Sequence, residues 1–333
     1  MSTVRMGLMF LELAVLAICV PGGLAVYNTL CRKLGIMLHA GQAGSIVVGG
    51  GLIFATMWLM LLLWLDWAGL TGLMLFIPPL LLIVITGYID DVYCLPPWVR
   101  LLLQLVSAEL VYQLIGYPDL PWLGDVVIIK HVFFSLVFVW SVNLYNFMDG
   151  SDGYATTQAI VIFLMFSICF LVMQQFTWAT STLGLVLALL MFLIWNWPPA
   201  VMYMGDVGST FLGASIAIYA YYVDLNFDIS WVYAYILLSP FVLDATLSLF
   251  RKIARGQRLI DRHSQHAFQR LLAVGISEKQ LITYLLLVST MNSGLIGLSI
   301  VWHWSQLELI LITAISLLVI YGMIETVCQQ SNV

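Results

Sequence analysis

The chain has 333 residues, of which 62% are hydrophobic and 9% charged, with a mean hydropathy of +1.02. A soluble domain carries about 25% charged residues, so this composition excludes a protein that covers itself with a watery surface and implies one embedded in a membrane. The net charge of −5 decides little, because in a membrane protein the position of each charge matters more than the sum.

Arg5 precedes the first apolar stretch with no small-residue cleavage pattern after it, so a retained helix is expected rather than a signal peptide. A helix needs about 20 apolar residues to cross the hydrocarbon core. Taking Pro, Gly and charged residues as boundaries gives eleven candidates, near 7–30, 46–65, 70–89, 99–116, 129–145, 155–174, 180–197, 209–223, 231–252, 280–301 and 306–326. The fifth and eighth are short, which sets the expected count at ten to eleven. The fold class that follows is an all-α polytopic bundle, one integral membrane domain over 1–333. The five cysteines are scattered without metal-ligand spacing and read as apolar fillers.

Lys and Arg mark the cytoplasmic side. With eleven spans, one set of loops holds Arg32, Lys33, Arg100, Arg251, Lys252, Arg255, Arg258, Arg262, Arg270 and Lys279, while the other holds only Arg5 and Lys130. The expected topology is an outer N-terminus and a cytosolic C-terminus.

The acidic clusters fall on the basic side, although acids played no part in setting it. GYIDDVYCLPPWVRLLLQ leaves the third span with Asp90 and Asp91; NLYNFMDGSDG ends the fifth with Asn143, Asn146, Asp149 and Asp152; MGDVGSTFLG places Asp206 before the eighth; Asp244 lies in the ninth. Acids at membrane depth are functional candidates by default. Each cluster alone has a bland reading: a helix-stopping pair for Asp90-Asp91, a cap beside a Gly-rich turn for Asp149 and Asp152. All of these holding together is a poor account of one face. Asp149 and Asp152 would share a face if helical, and the glycines around Asp206 would let backbone approach a ligand. The loop RKIARGQRLIDRHSQHAFQR supplies cations beside them. Mg²⁺ is held by one or two carboxylates plus substrate phosphates, and Arg meets the remaining phosphate charge. Acids and bases together therefore point to phosphoryl transfer. No P-loop or dinucleotide-binding glycine pattern is present, and nothing suggests nucleic acid as a partner. The competing class is a transporter with an intramembrane acidic pathway, which predicts acids at the midplane and internal repeats.

At these residues the chain resembles the polyprenyl-phosphate N-acetylhexosamine-1-phosphate transferases of glycosyltransferase family 4. The resemblance runs from about Gly87 to Leu271, through the Asp-Asp pair with its following Arg and Gln, the N-x-x-N-F-x-D-G-x-D-G block, the G-D-x-G-S block, Asp244 and the His-containing loop. It implies a helical bundle whose cleft opens to cytosol and lipid. The implied partners are a UDP-activated sugar and undecaprenyl phosphate, with a homodimer left open, and the implied cofactor is Mg²⁺, with Mn²⁺ as an alternative. By the same resemblance Asp206 is the principal metal ligand, and Asp90 and Asp91 lie by the lipid phosphate and the metal. Asn146, Asp149 and Asp152 shape the nucleotide site, and His263 and His266 face the diphosphate or sugar; from the residues themselves, Asn143 is a further substrate-binding candidate, the loop cations Arg262 and Arg270 can donate to a diphosphate, and the Gln265 amide suits a sugar hydroxyl or acetamido group. The first basic-side loop, MLHAGQAGSIVVGGG, keeps His39 and Gly49 to Gly51 but lacks the family's Arg and Pro residues. The block H-S-Q-H-A-F-Q-R is most similar to the O-antigen-initiating branch, which implies transfer of an N-acetylated amino sugar 1-phosphate with release of UMP.

Overall fold

A computed structural model describes residues 2–41, 44–69, 71–119, 126–254 and 266–330. The chain is a helical bundle: α1 (Ser2–Leu34), α2 (Gly51–Gly69), α3 (Ile77–Tyr93), α4 (Pro97–Leu114), α5 (Val127–Met148), α6 (Tyr154–Val172), α7 (Phe176–Asn196), α8 (Gly205–Phe227), α9 (Val232–Ala254), α10 (Ala267–Ala273), α11 (Glu278–Val301) and α12 (Gln306–Gln330). Among the described residues, nine helices are long and apolar enough to cross a membrane. The other two of comparable length, α4 and α8, carry more polar residues. All eleven expected spans are thus present as helices, and the chain is a multi-pass membrane protein.

The two spans expected to be short are full length. Helix α5 has 22 residues and α8 has 23. Helix α5 runs past the expected end to include Asn146, and Asn143 within it donates to the Val139 carbonyl at 2.8 Å. At the other helix, the G-D-x-G-S block expected to be loop is the first turn of α8.

Helix α8 is the axis of the bundle. Every residue from Val207 to Tyr221 is buried. Small residues let its neighbours close in. A Cβ added to Gly51 of α2 would lie 2.3 Å from the Gly208 Cα, one on Gly87 of α3 would lie 2.6 Å from the Val207 Cα, and one on Gly213 would meet the Ser141 carbonyl of α5 at 2.5 Å. The three contacts fix α8 by backbone-to-backbone approach, and with it the height of Asp206.

The first basic-side loop is not irregular. Leu38–Gly41 and Gly44–Val47 form an antiparallel ribbon, β1 and β2. Its second strand continues onto the segment leading into α8: Tyr203 N–H donates to the Val47 carbonyl at 2.8 Å, Gly50 N–H to Tyr203 at 3.0 Å and Gly51 N–H to Met204 at 3.0 Å. The side chain of His39 lies outside the described residues, as do Arg262, His263 and Gln265 in their entirety.

Candidate active site

The ends of α3, α5 and α7 and the starts of α4, α6, α8 and α11 meet at one end of the bundle. The acids of the sequence motifs converge there, as expected for a one-faced site and unlike a pathway through the midplane.

The Asp90-Asp91 pair is split by its neighbours. Asp90 Oδ2 receives Arg100 Nη1 at 2.8 Å and Asp90 Oδ1 receives the Leu95 N–H at 2.6 Å, so this carboxylate ties the turn between α3 and α4 together. Asp91 faces the other way. Its Oδ1 accepts the Asp206 N–H at 2.8 Å and its Oδ2 the Val207 N–H at 3.1 Å. The first N–H groups of a helix have no partner within it, and Asp91 supplies one from a neighbouring helix. Gly205 makes room, with φ at +75° and a position where a Cβ would lie 2.5 Å from Asp91 Oδ2. The two glycines of G-D-x-G-S therefore admit protein neighbours, Asp91 and α2, rather than a ligand. Asp91, expected as a metal ligand, thus has one N–H of α8 on each of its oxygens and caps that helix.

Asp206 is what this arrangement presents. Its side chain keeps 34% of its exposure, and Oδ2 lies 3.6 Å from Arg100 Nη1. The Arg100 guanidinium thus sits between the carboxylates of Asp90 and Asp206. A narrow cleft is lined by Asp90, Arg100, Gln104, Asn143, Asn146 and Asp206. Asn143 and Gln104 face each other as a reciprocal amide pair, with Asn143 Nδ2 donating at 2.6 Å. Asn146 Oδ1 accepts the Ser209 hydroxyl at 2.7 Å.

Asp149 and Asp152 do not share a helical face. Asp149 caps the C-terminus of α5 and Asp152 lies in the turn before α6. Asp152 Oδ2 accepts the Ala200 N–H at 2.7 Å, binding the turn to the segment that enters α8. The Asp149 carboxyl is pushed up to about 7, chiefly by burial and then by the charges of Asp91 and Asp152. Tyr203 is raised by burial and by Asp152, Glu278 and Asp149. Glu278, at the start of α11, is thus a further acid of the site. Sequence reading missed it because it lies in a separate, ordinary-looking helix start. Asn196 was missed as well. Buried at the end of α7, it accepts the Gly153 N–H at 3.1 Å and the Thr156 hydroxyl at 2.7 Å and donates to the Met202 carbonyl at 3.1 Å.

The His-containing loop meets this end through α10. His266 stands just before α10 in extended conformation. Arg270 is turned to α12, where Nη1 and Nη2 meet the Glu325 carboxylate at 2.6 and 2.9 Å. That bond raises Arg270 above its ordinary value. Arg270, expected at the diphosphate, thus forms a two-pronged ion pair with α12.

Among the described residues no three of His, Cys, Asp and Glu make a closed metal cage. One open carboxylate, Asp206, with Asp90 beside it, is nonetheless the kind of set that holds Mg²⁺ when substrate phosphates complete the shell. The donor set fits that ion.

Residues 73–224 match the model of "Glycosyl transferase family 4". Over these residues, just under half of the chain, the protein is similar to that family. It is 27% identical, over 72% of its length and 69% of the relative's, to a protein of Bacillus subtilis named probable undecaprenyl-phosphate N-acetylglucosaminyl 1-phosphate transferase. It is 29% identical to a phospho-N-acetylmuramoyl-pentapeptide-transferase of Streptococcus thermophilus, over 57% of the chain and 61% of the relative. A protein of the same name in Staphylococcus carnosus is 30% identical over 55% of the chain and 57% of the relative. For the last two, the chain spans less than two thirds of the relative's length. The family match covers Asp90, Asp91, Asp149, Asp152 and Asp206 and stops before the His-containing loop.

Proposed function

We propose that this membrane protein transfers a hexosamine 1-phosphate from a UDP-sugar to a polyprenyl phosphate and releases UMP. The observation that carries the reading is the placement of Asp206, held open at the head of α8 by Asp91 and flanked by Arg100. The names of the relatives, one an N-acetylglucosaminyl and the others muramoyl-pentapeptide transferases, share an N-acetylated hexosamine 1-phosphate as the transferred group.

In the reaction an oxygen of the lipid phosphate attacks the phosphorus that bears the sugar. The new P–O bond forms as the bond from that phosphorus to the bridging oxygen breaks, and the bridging oxygen leaves on UMP. A phosphate monoester has a second pKa near 6 and is largely dianionic at neutral pH, so no strong general base is required. Positioning and electrostatics supply most of such catalysis. Arg100 offers a cation at the cleft, Asn143 and Asn146 orient polar groups, and the Asp149–Asp152 turn shapes the nucleotide side. Mg²⁺, when bound at Asp206 with Asp90 beside it, neutralises phosphate charge and polarises the phosphoryl oxygens. Mn²⁺ satisfies the same oxygen donors.

The finer part of the proposal is the product's use. The block H-S-Q-H-A-F-Q-R supports a lipid-linked sugar that starts a surface polysaccharide such as O-antigen, made at the cytosolic face of the bacterial inner membrane. The distribution of Lys and Arg supports that orientation. The test is purified protein with undecaprenyl phosphate and a panel of UDP-sugars, with and without Mg²⁺. A butanol-extractable sugar product from one donor, formed only with the metal, is expected. No product with any donor, together with solute uptake by proteoliposomes, would move the protein to the transporter class.

A further inference from the structure

The acid cleft leaves one well-built part of this end unexplained, the short helix α10 and its fastenings. Asp244 of α9 is buried at 6% exposure. Its Oδ1 accepts the Ala267 N–H at 2.6 Å and its Oδ2 the Phe268 N–H at 3.2 Å, so it caps α10 as Asp91 caps α8. His266 Nδ1 lies 3.8 Å from the same carboxylate. At the far end of α10 the Arg270–Glu325 fork holds it to α12, and Arg251 Nη2 shares that carboxylate at 2.6 Å.

Between the two fastenings stands Phe268, 2% exposed. One face stacks on His266, with ring centroids 5.8 Å apart at 12°, and Phe268 also stacks on Tyr154 at 5.5 Å and 28°. Tyr154 in turn stacks on Phe241 at 5.2 Å. The ring edge reaches the acidic turn: a Cβ on Gly150 would lie 3.0 Å from Phe268 Cζ. Gly150 is the residue after Asp149 and two before Asp152. The aromatic column therefore measures the distance between the histidine and the turn that carries both acids.

We propose that Phe268 and Asp244 are positioning residues, and that α10 is a clamp that sets His266 in register with the Asp149–Asp152 turn and so governs binding of the UDP-sugar. This rests on the phosphosugar-transfer reading for the identity of the ligand, while the clamp itself rests on geometry. Buried stacked rings yield little, since interiors are close-packed. A methyl added at Gly150 would therefore push the column, and a smaller residue at 268 would relieve it.

The experiment is a double-variant cycle in the full-length protein, with Gly150→Ala, Phe268→Leu and the pair, and Phe268→Tyr as the conservative control. KM is measured separately for undecaprenyl phosphate and for the UDP-sugar of the panel that wild type turns over best. Each single variant should raise the UDP-sugar KM at least fivefold and leave the lipid KM unchanged. The pair should recover at least half of the loss, and Phe268→Tyr should resemble wild type. Hydrogen exchange of the peptide spanning 266–273 should be faster in both single variants, a readout that survives even if no tested donor is turned over. Penalties that multiply in the pair would overturn the proposal. So would variants that lower kcat alone with both KM values unchanged, the mark of a smaller folded fraction, or exchange that matches wild type.

Discussion

Asp91→Asn separates two roles for the acid pair, cap and metal ligand. In the structure Asp91 holds the Asp206 N–H at 2.8 Å and the Val207 N–H at 3.1 Å, one on each oxygen. Asparagine keeps one acceptor and turns an NH₂ group toward the other N–H, so one bond is lost and the charge with it. A hydrogen bond to a charged group is worth about 1.5–3 kcal/mol. A negative charge at a helix N-terminus adds roughly 0.3–1 kcal/mol, and up to ~2 kcal/mol when partly buried. The expected loss is therefore about 2–4 kcal/mol, a large share of the ~5–15 kcal/mol by which proteins are stable. Thermal unfolding in detergent, followed alongside turnover, reads both consequences. Asp91→Asn should lower the unfolding midpoint and activity together, because the head of α8 loosens and Asp206 moves with it. An unchanged midpoint with abolished turnover would refute the reasoning and return Asp91 to the metal.

Asp206→Asn should do the opposite, lowering turnover at least a hundredfold, about 2.7 kcal/mol in the barrier, with the unfolding midpoint kept, since its side chain is part-exposed and its ion pair with Arg100 is long at 3.6 Å. Gly87→Ala should destabilise by about 1–3 kcal/mol, read by thermal unfolding, because its methyl would meet the Val207 Cα at 2.6 Å and backbone cannot step aside. For Asp149 the sign is set by a carboxyl raised from 3.8 to about 7: the fold binds this proton more tightly than the unfolded chain, so the group's contribution is present below pH 4 and is lost as pH rises to about 7. In metal-free buffer Asp149→Asn should flatten that part of the pH–midpoint curve, and an unchanged curve would remove Asp149 as its source. In a cysteine-free background, Lys279→Cys should react with an impermeant maleimide only after permeabilisation and Asp119→Cys in intact spheroplasts; the reverse pattern would invert the topology.

The spans and the one-faced site were legible because both rest on strong signals. Apolar runs have no alternative in water, and acids at membrane depth have few. What stayed hidden was the division of labour among like residues. Asp90 and Asp91 are adjacent in sequence, and nothing local says that one will bind Arg100 while the other caps a helix more than a hundred residues away. Polar Asn143 and Asn146 looked like a helix end because their partners, Gln104 and Ser209, come from other helices. The same holds for Arg270, a plausible phosphate ligand by composition, whose fork to Glu325 joins segments 55 residues apart. Gly205 and Gly208 stand out beside Asp206, but a glycine in a sequence does not say whether a ligand or a neighbouring helix needs the room.

The most direct test of the account follows the phosphorus. A UDP-sugar labelled with ³²P at the sugar-bearing phosphate, incubated with the purified protein, Mg²⁺ and undecaprenyl phosphate, should leave its label in the lipid product with unlabelled UMP as the leaving group. Label recovered in UDP, with sugar alone on the lipid, would show glycosyl transfer and contradict the proposed attack at phosphorus.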